Sequence, residues 1–256
     1  MHCDPLPMNR ATQHGFTLLE LAIVLVIVAL LSTGLMVSIV AQRDSVAIAE
    51  TQRRLAEARD ALLGFAAANG RLPCPAAPAA TGIEQPVGGG NCDNPWDGFL
   101  PALTLGLYPT DENGYALDGW GNPIRYGVTT YTHASCPSSC FTTANGVKLA
   151  WNASVSALAP DLNICNTTDG ATGSGASAAC AAGSRLATNA VALVFSRGTN
   201  GGIAPSSADE LANGNADRLY VSRTPTPAGA NEFDDIVLWI SPHLLYNRLI
   251  VVGRLP

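Results

Sequence analysis

Charge is scarce in this chain, and what there is leans acidic. Only 13% of the 256 residues are Asp, Glu, Lys or Arg, and fourteen Lys and Arg stand against twenty Asp and Glu, for a formal charge of −6. Phosphate backbones are bound through a basic footprint, so nucleic acid is not expected as the main partner. Wholesale disorder does not fit either, because hydrophobic residues make up 47% of the chain, enough to bury a core. Proline is missing from a long stretch, with none between Pro7 and Pro73, so a helix can run there without interruption by a ring-locked residue. Catalytic signatures are lacking as well. Ser196-Arg197-Gly198 is not a nucleophile elbow, and no phosphate loop or zinc signature occurs. His133 lies near Cys136 in a cysteine-rich loop, where a lone His–Cys pair is more often structural than catalytic. The chain is therefore read as non-enzymatic, with a membrane-anchored enzyme as the weaker alternative.

What is present begins with one apolar run. From Phe16 to Gln42 the only ionisable side chain is Glu20. As a helix rising 1.5 Å per residue, such a run would span roughly 40 Å, enough to cross a bilayer core. A cleaved secretory signal has a shorter apolar region of about 7–15 residues and ends at a small-x-small site. Ile39-Val40-Ala41 is a poor site of that kind. An ordinary membrane anchor accounts for the length but not for Glu20, since a charge within a membrane helix is costly and usually functional.

The stretch "HGFTLLELAIVLVIVALL" from His14 to Leu31 resembles the N-terminus of type IV pilins and of the pseudopilins of type II secretion. The resemblance implies a polar leader cut by a prepilin peptidase between Gly15 and Phe16, with N-methylation of the new terminus at Phe16. Glycine before the cut suits a protease that must reach the backbone. Cleavage creates an amine at Phe16, and Glu20 follows four residues later on the same helical face. A carboxylate in lipid seeks a cation. In the resembling family that cation is the terminal amine of a neighbouring subunit, so Glu20 is expected to set the register of packed helices. The partners so implied are the prepilin peptidase/N-methyltransferase, other pilin-like subunits and an inner-membrane assembly platform. The implied location is the bacterial inner membrane as a single-pass protein, with the head periplasmic or on a surface filament.

Cysteine usage points the same way. Cys3 lies in the leader, and Cys74, Cys92, Cys136, Cys140, Cys165 and Cys180 all follow the apolar run. Six cysteines after a membrane segment suggest an oxidising compartment and up to three disulfides. Metal binding is the weaker competitor, because no C-x-x-C pair exists and the histidines are scattered. Of the many pairings possible, neighbour pairing is the working expectation: 74–92, 136–140 and 165–180, each closing a short loop rich in turn formers.

Downstream, Ile48, Leu55 and Leu62 recur every seven residues, with Ala58 and Phe65 filling the half-step, which places them on one face of a continuing helix. Glu50 with Arg54, and Arg53 with Glu57, are i,i+4 pairs on its wetter side. Arg53, Arg54 and Arg59 read as a solvated face. Asn69-Gly70 and Pro73 should end the helix. The stretch from Pro73 to about Tyr115 reads as loop. "LDGWGNPIRYGV" from Leu117 to Val128 reads as a turn feeding a strand, with Trp120 packed in the core near the helix; its wording resembles a stretch of major pseudopilins. "CPSSC" and the low-complexity "NTTDGATGSGASAA" (166–179) read as loops. "NAVALVFSRGTNG", "DRLYVS" and "EFDDIVLWIS" have strand composition. "SPHLLYNRLIVVGRLP" reads as a helix capped by Ser241, with Pro242 first and Leu244, Leu245 and Leu249 on one face.

The expected architecture is α+β: a long N-terminal helix, membrane-spanning in its first half, packed on an antiparallel sheet in the pilin manner. Its divisions are a leader at 1–15, an assembly helix at 16–42, the soluble half of the helix at 43–70 and a disulfide-bearing head at 71–256. The expected function is a structural subunit of a type IV pilus or a type II secretion pseudopilus, as a minor component given the large head. The alternative is a minor pilin whose head binds a surface, a secreted protein or DNA. No cofactor is expected beyond a lesser case for Ca²⁺ at "CDNPWDG", "TDENG" or "EFDD", none of which has EF-hand spacing.

Overall fold

A computed structural model describes residues 17–78, 81–154, 158–205, 207–227 and 229–256, with the side chains of 32–41 outside that description. The chain divides into two units, Met1–Ser45 and Val46–Pro256. Helix α1 spans Leu18–Asn69. In the first unit its described side chains are exposed, and six consecutive apolar residues, Ile23 to Val28, are each at least half exposed. Six in a row cover every face of a helix, so this segment has no polar side to offer to water. Among the described residues, no helix is long and apolar enough to cross a membrane.

The second unit is α+β. Within it α1 buries Ala47, Thr51, Leu55, Ala58, Leu62 and Ala66, a stripe at spacings of three and four. Leu55, Ala58 and Leu62 are buried as the periodicity indicates. Ile48 is not: it is 37% exposed, and Ala47 takes its place. The reason is a close approach, since a Cβ on Gly119 would stand 2.2 Å from the Ala47 carbonyl oxygen. Only small residues fit where the two backbones meet. Gly70, at φ 68°, ends α1, and its N–H bonds the Ala66 carbonyl at 2.8 Å, the left-handed cap that glycine adopts without strain.

A four-stranded sheet has the order β1-β2-β5-β7, from Gly98–Phe99, Arg125–Val128, Ala192–Ser196 and Ile236–Ile240, all antiparallel. Central strand β5 is buried along its whole length because both faces are covered. Ala192 and Val194 join the core with Leu55 and Leu62 of α1 and with Leu245 and Leu249 of helix α5, Pro242–Val251. Leu193 and Phe195 face the other way, into a core with Leu162, Ile164, Ala190 and Tyr220. Those residues belong to a second sheet of order β4-β3-β6, from Arg185–Ala190, Leu162–Cys165 and Leu219–Val221. In that sheet β3 pairs β6 in parallel, so the antiparallel expectation holds for the first sheet and not for all of the second.

Short helices α2 (Ala102–Leu105), α3 (Gly146–Ala153) and α4 (Ala208–Asn213) sit in the connections. The start of α5 follows the sequence reading: Ser241 accepts the Leu244 N–H and Pro242 opens the helix. Leu245 and Leu249 are buried, whereas Leu244 is 41% exposed. Its position one residue before Leu245 turns it by a full 100° of helix. Trp120 is half-buried and outside the main core.

Candidate functional site

The processing and assembly candidates lie at the start of α1. Gly15 and Phe16 fall outside the described residues. Glu20 is exposed in the first turn of α1. Its N–H donates to Thr17 Oγ1 at 3.2 Å, and Leu21 N–H bonds the Thr17 carbonyl at 3.1 Å. Thr17-Leu18-Leu19-Glu20 is thus an S/T-x-x-E signature with its Thr-to-N3 bond formed. The helix start is therefore fixed two residues after the Gly15–Phe16 junction. The sequence reading missed this capping role, although the spacing was there to be read. A carboxylate in the first turn also suits the helix dipole.

The six head cysteines are joined as Cys74–Cys92, Cys136–Cys140 and Cys165–Cys180, with Cα separations of 5.3, 5.4 and 5.7 Å. The last pair closes the base of the 166–179 excursion, where Thr172 and Ala179 bridge and Ser174 and Ser177 form a capping box. At the foot of that excursion Asp209 accepts from Thr168 N–H and Oγ1, both at 2.8 Å, and from Arg223 Nε at 2.8 Å. Thr167, Ser207 and Asn231 complete a polar cleft there.

Of the acids considered for Ca²⁺, Asp97 of "CDNPWDG" and Asp111 of "TDENG" serve local structure: Asp97 pairs with Arg125 at 2.5 Å, and Asp111 accepts from Asn113 and Tyr115 N–H. Asp234 and Asp235 instead meet Glu210 of α4, with one carboxylate oxygen from each within 4.8 Å of the others. Glu210 could not be found from spacing, because only the tertiary fold brings it there. Burial raises the Glu210 carboxyl, against hydrogen bonds from Asn200 and the Asp234 N–H. Burial likewise pushes Asp235 up to about 7, with the charges of Glu210 and Asp234 adding and the Asn213 bond opposing. Both Glu210 oxygens and one oxygen of each aspartate already accept N–H bonds. Within the cluster, burial favours the protonated form of Glu210 and of Asp235.

His133 Nδ1 accepts the Ser135 N–H at 3.2 Å, a turn contact. Ser196 is fully buried and donates to Asp118 Oδ2 at 2.5 Å, so its hydroxyl is not presented to a substrate.

Compared with known proteins, residues 10–36 match the family model for the prokaryotic N-terminal methylation motif, the signal of type IV pilins and pseudopilins. Neither the curated proteins nor the solved structures give a match for the chain.

Proposed function

We propose, from a chain that carries the prokaryotic N-terminal methylation motif over residues 10–36, that this is a pilin-like or pseudopilin structural subunit and not an enzyme. A prepilin peptidase cuts after Gly15 and methylates Phe16. Residues 16–42 hold the product in the inner membrane, and an assembly platform draws it into a type IV pilus or a type II secretion pseudopilus. The motif match carries this reading, because it spans both the processing junction and Glu20. The all-round apolar surface of Ile23–Val28 supports it, since such a helix is at home in lipid or among other helices. A two-sheet head with a tethered excursion at 166–179 packs poorly in a dense array, which favours a minor component.

Glu20 acts by desolvation. In an apolar bundle an unpaired carboxylate is strongly disfavoured, and a neighbour's Phe16 amine relieves it only at one register. The capping bond at Thr17 uses the Glu20 backbone, so cap and charge are separable. Glu20→Gln keeps a capping-box residue and removes the charge. Co-purification of tagged and untagged copies should fall about tenfold or more for both Glu20→Gln and Glu20→Leu. If Glu20→Gln assembles as wild type does, the ion-pair role is wrong and capping suffices.

The polar cleft beside the 166–179 excursion favours a second reading, a minor pilin whose head binds an external ligand. Deleting 166–179 separates the two. Loss of binding with filaments intact supports the second; loss of incorporation supports the first.

A further inference from the structure

The turn Leu117–Pro123 joins helix α1 to the central strand of the first sheet through a set of bonds that neither strand pairing nor core packing requires. On the helix side, Thr51 Oγ1 donates to the Ala47 carbonyl at 2.8 Å and accepts the Gly119 N–H at 2.9 Å. Arg54 Nη1 donates to the Leu117 carbonyl at 2.6 Å. On the sheet side, buried Asp118 organises the turn by accepting Trp120 and Asn122 N–H at 2.9 and 2.8 Å, and its other oxygen takes the Ser196 hydroxyl at the end of β5. Asn122 Nδ2 donates to the Gly198 carbonyl at 2.8 Å. Gly119 is required by space and not by its backbone angle: a Cβ would strike the Ala47 carbonyl.

The position matters. Covalently, the head begins only after Gly70, at the far end of α1. The turn grips the helix at Ala47–Arg54, at the opposite end of its packed stripe. A helix pulled from its N-terminal side would otherwise open from this free end, breaking its contacts one turn at a time. We infer that the Leu117–Pro123 turn is a force-transmitting clasp, which passes force on the anchor into β5 at Ser196 and keeps α1 from peeling off the head. That α1 is pulled at all rests on the proposed assembly reading, but the grip itself does not.

Amide exchange by mass spectrometry on the full-length chain in detergent tests the grip without any assembly. Gly119→Ala and Thr51→Ala should each raise exchange in peptides covering 46–58 by about tenfold or more while peptides of β2, β5 and α5 stay protected. Unchanged exchange at 46–58 in both variants overturns the clasp. Should Gly119→Ala loosen the whole head, Thr51→Ala decides, since it removes a hydroxyl and a methyl from a helix and adds no atoms. Incorporation into filaments then tests the load: both variants should process normally yet incorporate poorly. Raised exchange with normal incorporation refutes the force-transmitting role and leaves the assembly reading standing, whereas failure of wild type to assemble refutes that reading and leaves the grip.

Discussion

Replacing Arg71 by Met should be the most damaging single change in the head short of opening its core. The Arg71 guanidinium meets the Glu84 carboxylate with two bonds of 2.7 Å, and the two side chains are only 8% and 5% exposed. Glu84 also accepts the N–H groups of Cys74 and Gly88 at 3.1 and 3.2 Å, so one carboxylate ties the residues after α1 to the loop carrying the Cys74–Cys92 bridge. Removing the cation strands a buried anion, at a cost of about 3–5 kcal/mol. For a head of this size that is a fall in melting temperature of about 6–20 °C.

The pH dependence distinguishes this cause from lost packing. Burial alone would raise Glu84, but the Arg71 bonds and charge outweigh it, and the carboxyl lies below its ordinary value. A depressed acid contributes stability above the ordinary carboxylate range, and that stability is lost as pH falls through the folded value. In Arg71→Met only the Cys74 and Gly88 N–H bonds remain to oppose burial, so protonation relieves the strain, and the deficit against wild type should shrink as pH falls from 7 towards 5. Thermal unfolding of both chains, followed by circular dichroism without reductant, measures it. A loss under 2 °C, or one equal at both pH values, refutes the reasoning.

Other outcomes follow from the same structure. Asp235, raised to about 7, keeps its proton in the fold where the unfolded chain has lost it, so wild-type stability should decline as pH rises from about 4 to 7 at this site. Asp235→Asn should flatten that decline in pH-dependent unfolding, and an unchanged slope counts against retained protons. Calorimetry at millimolar Ca²⁺ should show no binding heat at the Glu210–Asp234–Asp235 cluster, and saturable heat abolished by Asp234→Asn would reverse that conclusion. The Cys165–Cys180 bridge, at a separation of 15 residues, should be worth about 3 kcal/mol by loop closure, measured by unfolding of the Cys165→Ser/Cys180→Ser pair. Leu62→Ala, at a fully buried position where α1 meets the sheet, should cost about 2–5 kcal/mol in denaturant unfolding.

Much of the fold was legible because periodicity and punctuation agreed. The end of α1 at Asn69, strands β5, β6 and β7, and the cap of α5 all follow from local chemistry written into consecutive residues. Strands β3 and β4 were not legible. "LNIC" is four residues leading into a disulfide, and "RLATNA" is exposed on most of its length, so neither shows the alternation that burial of one face imposes. The error at Ile48 has a similar root: heptad spacing identifies a helical face, but the contact is decided by Gly119, 71 positions further along the chain. Glu210 was silent for the same reason, since Asp234 and Asp235 reach it only through the tertiary fold, and so was the contact of Asp118 with Ser196, 78 positions away. The candidate processing site is the reverse case: it rests on a short run of residues that matches the methylation motif, and Gly15 and Phe16 lie outside the described residues.

The most direct measurement is the intact mass of the protein isolated from its native host, read with and without reductant. The account predicts a chain that starts at Phe16, carries one added methyl group at that residue and has all six head cysteines oxidised. A chain beginning at Met1, or at any residue other than Phe16, would contradict it.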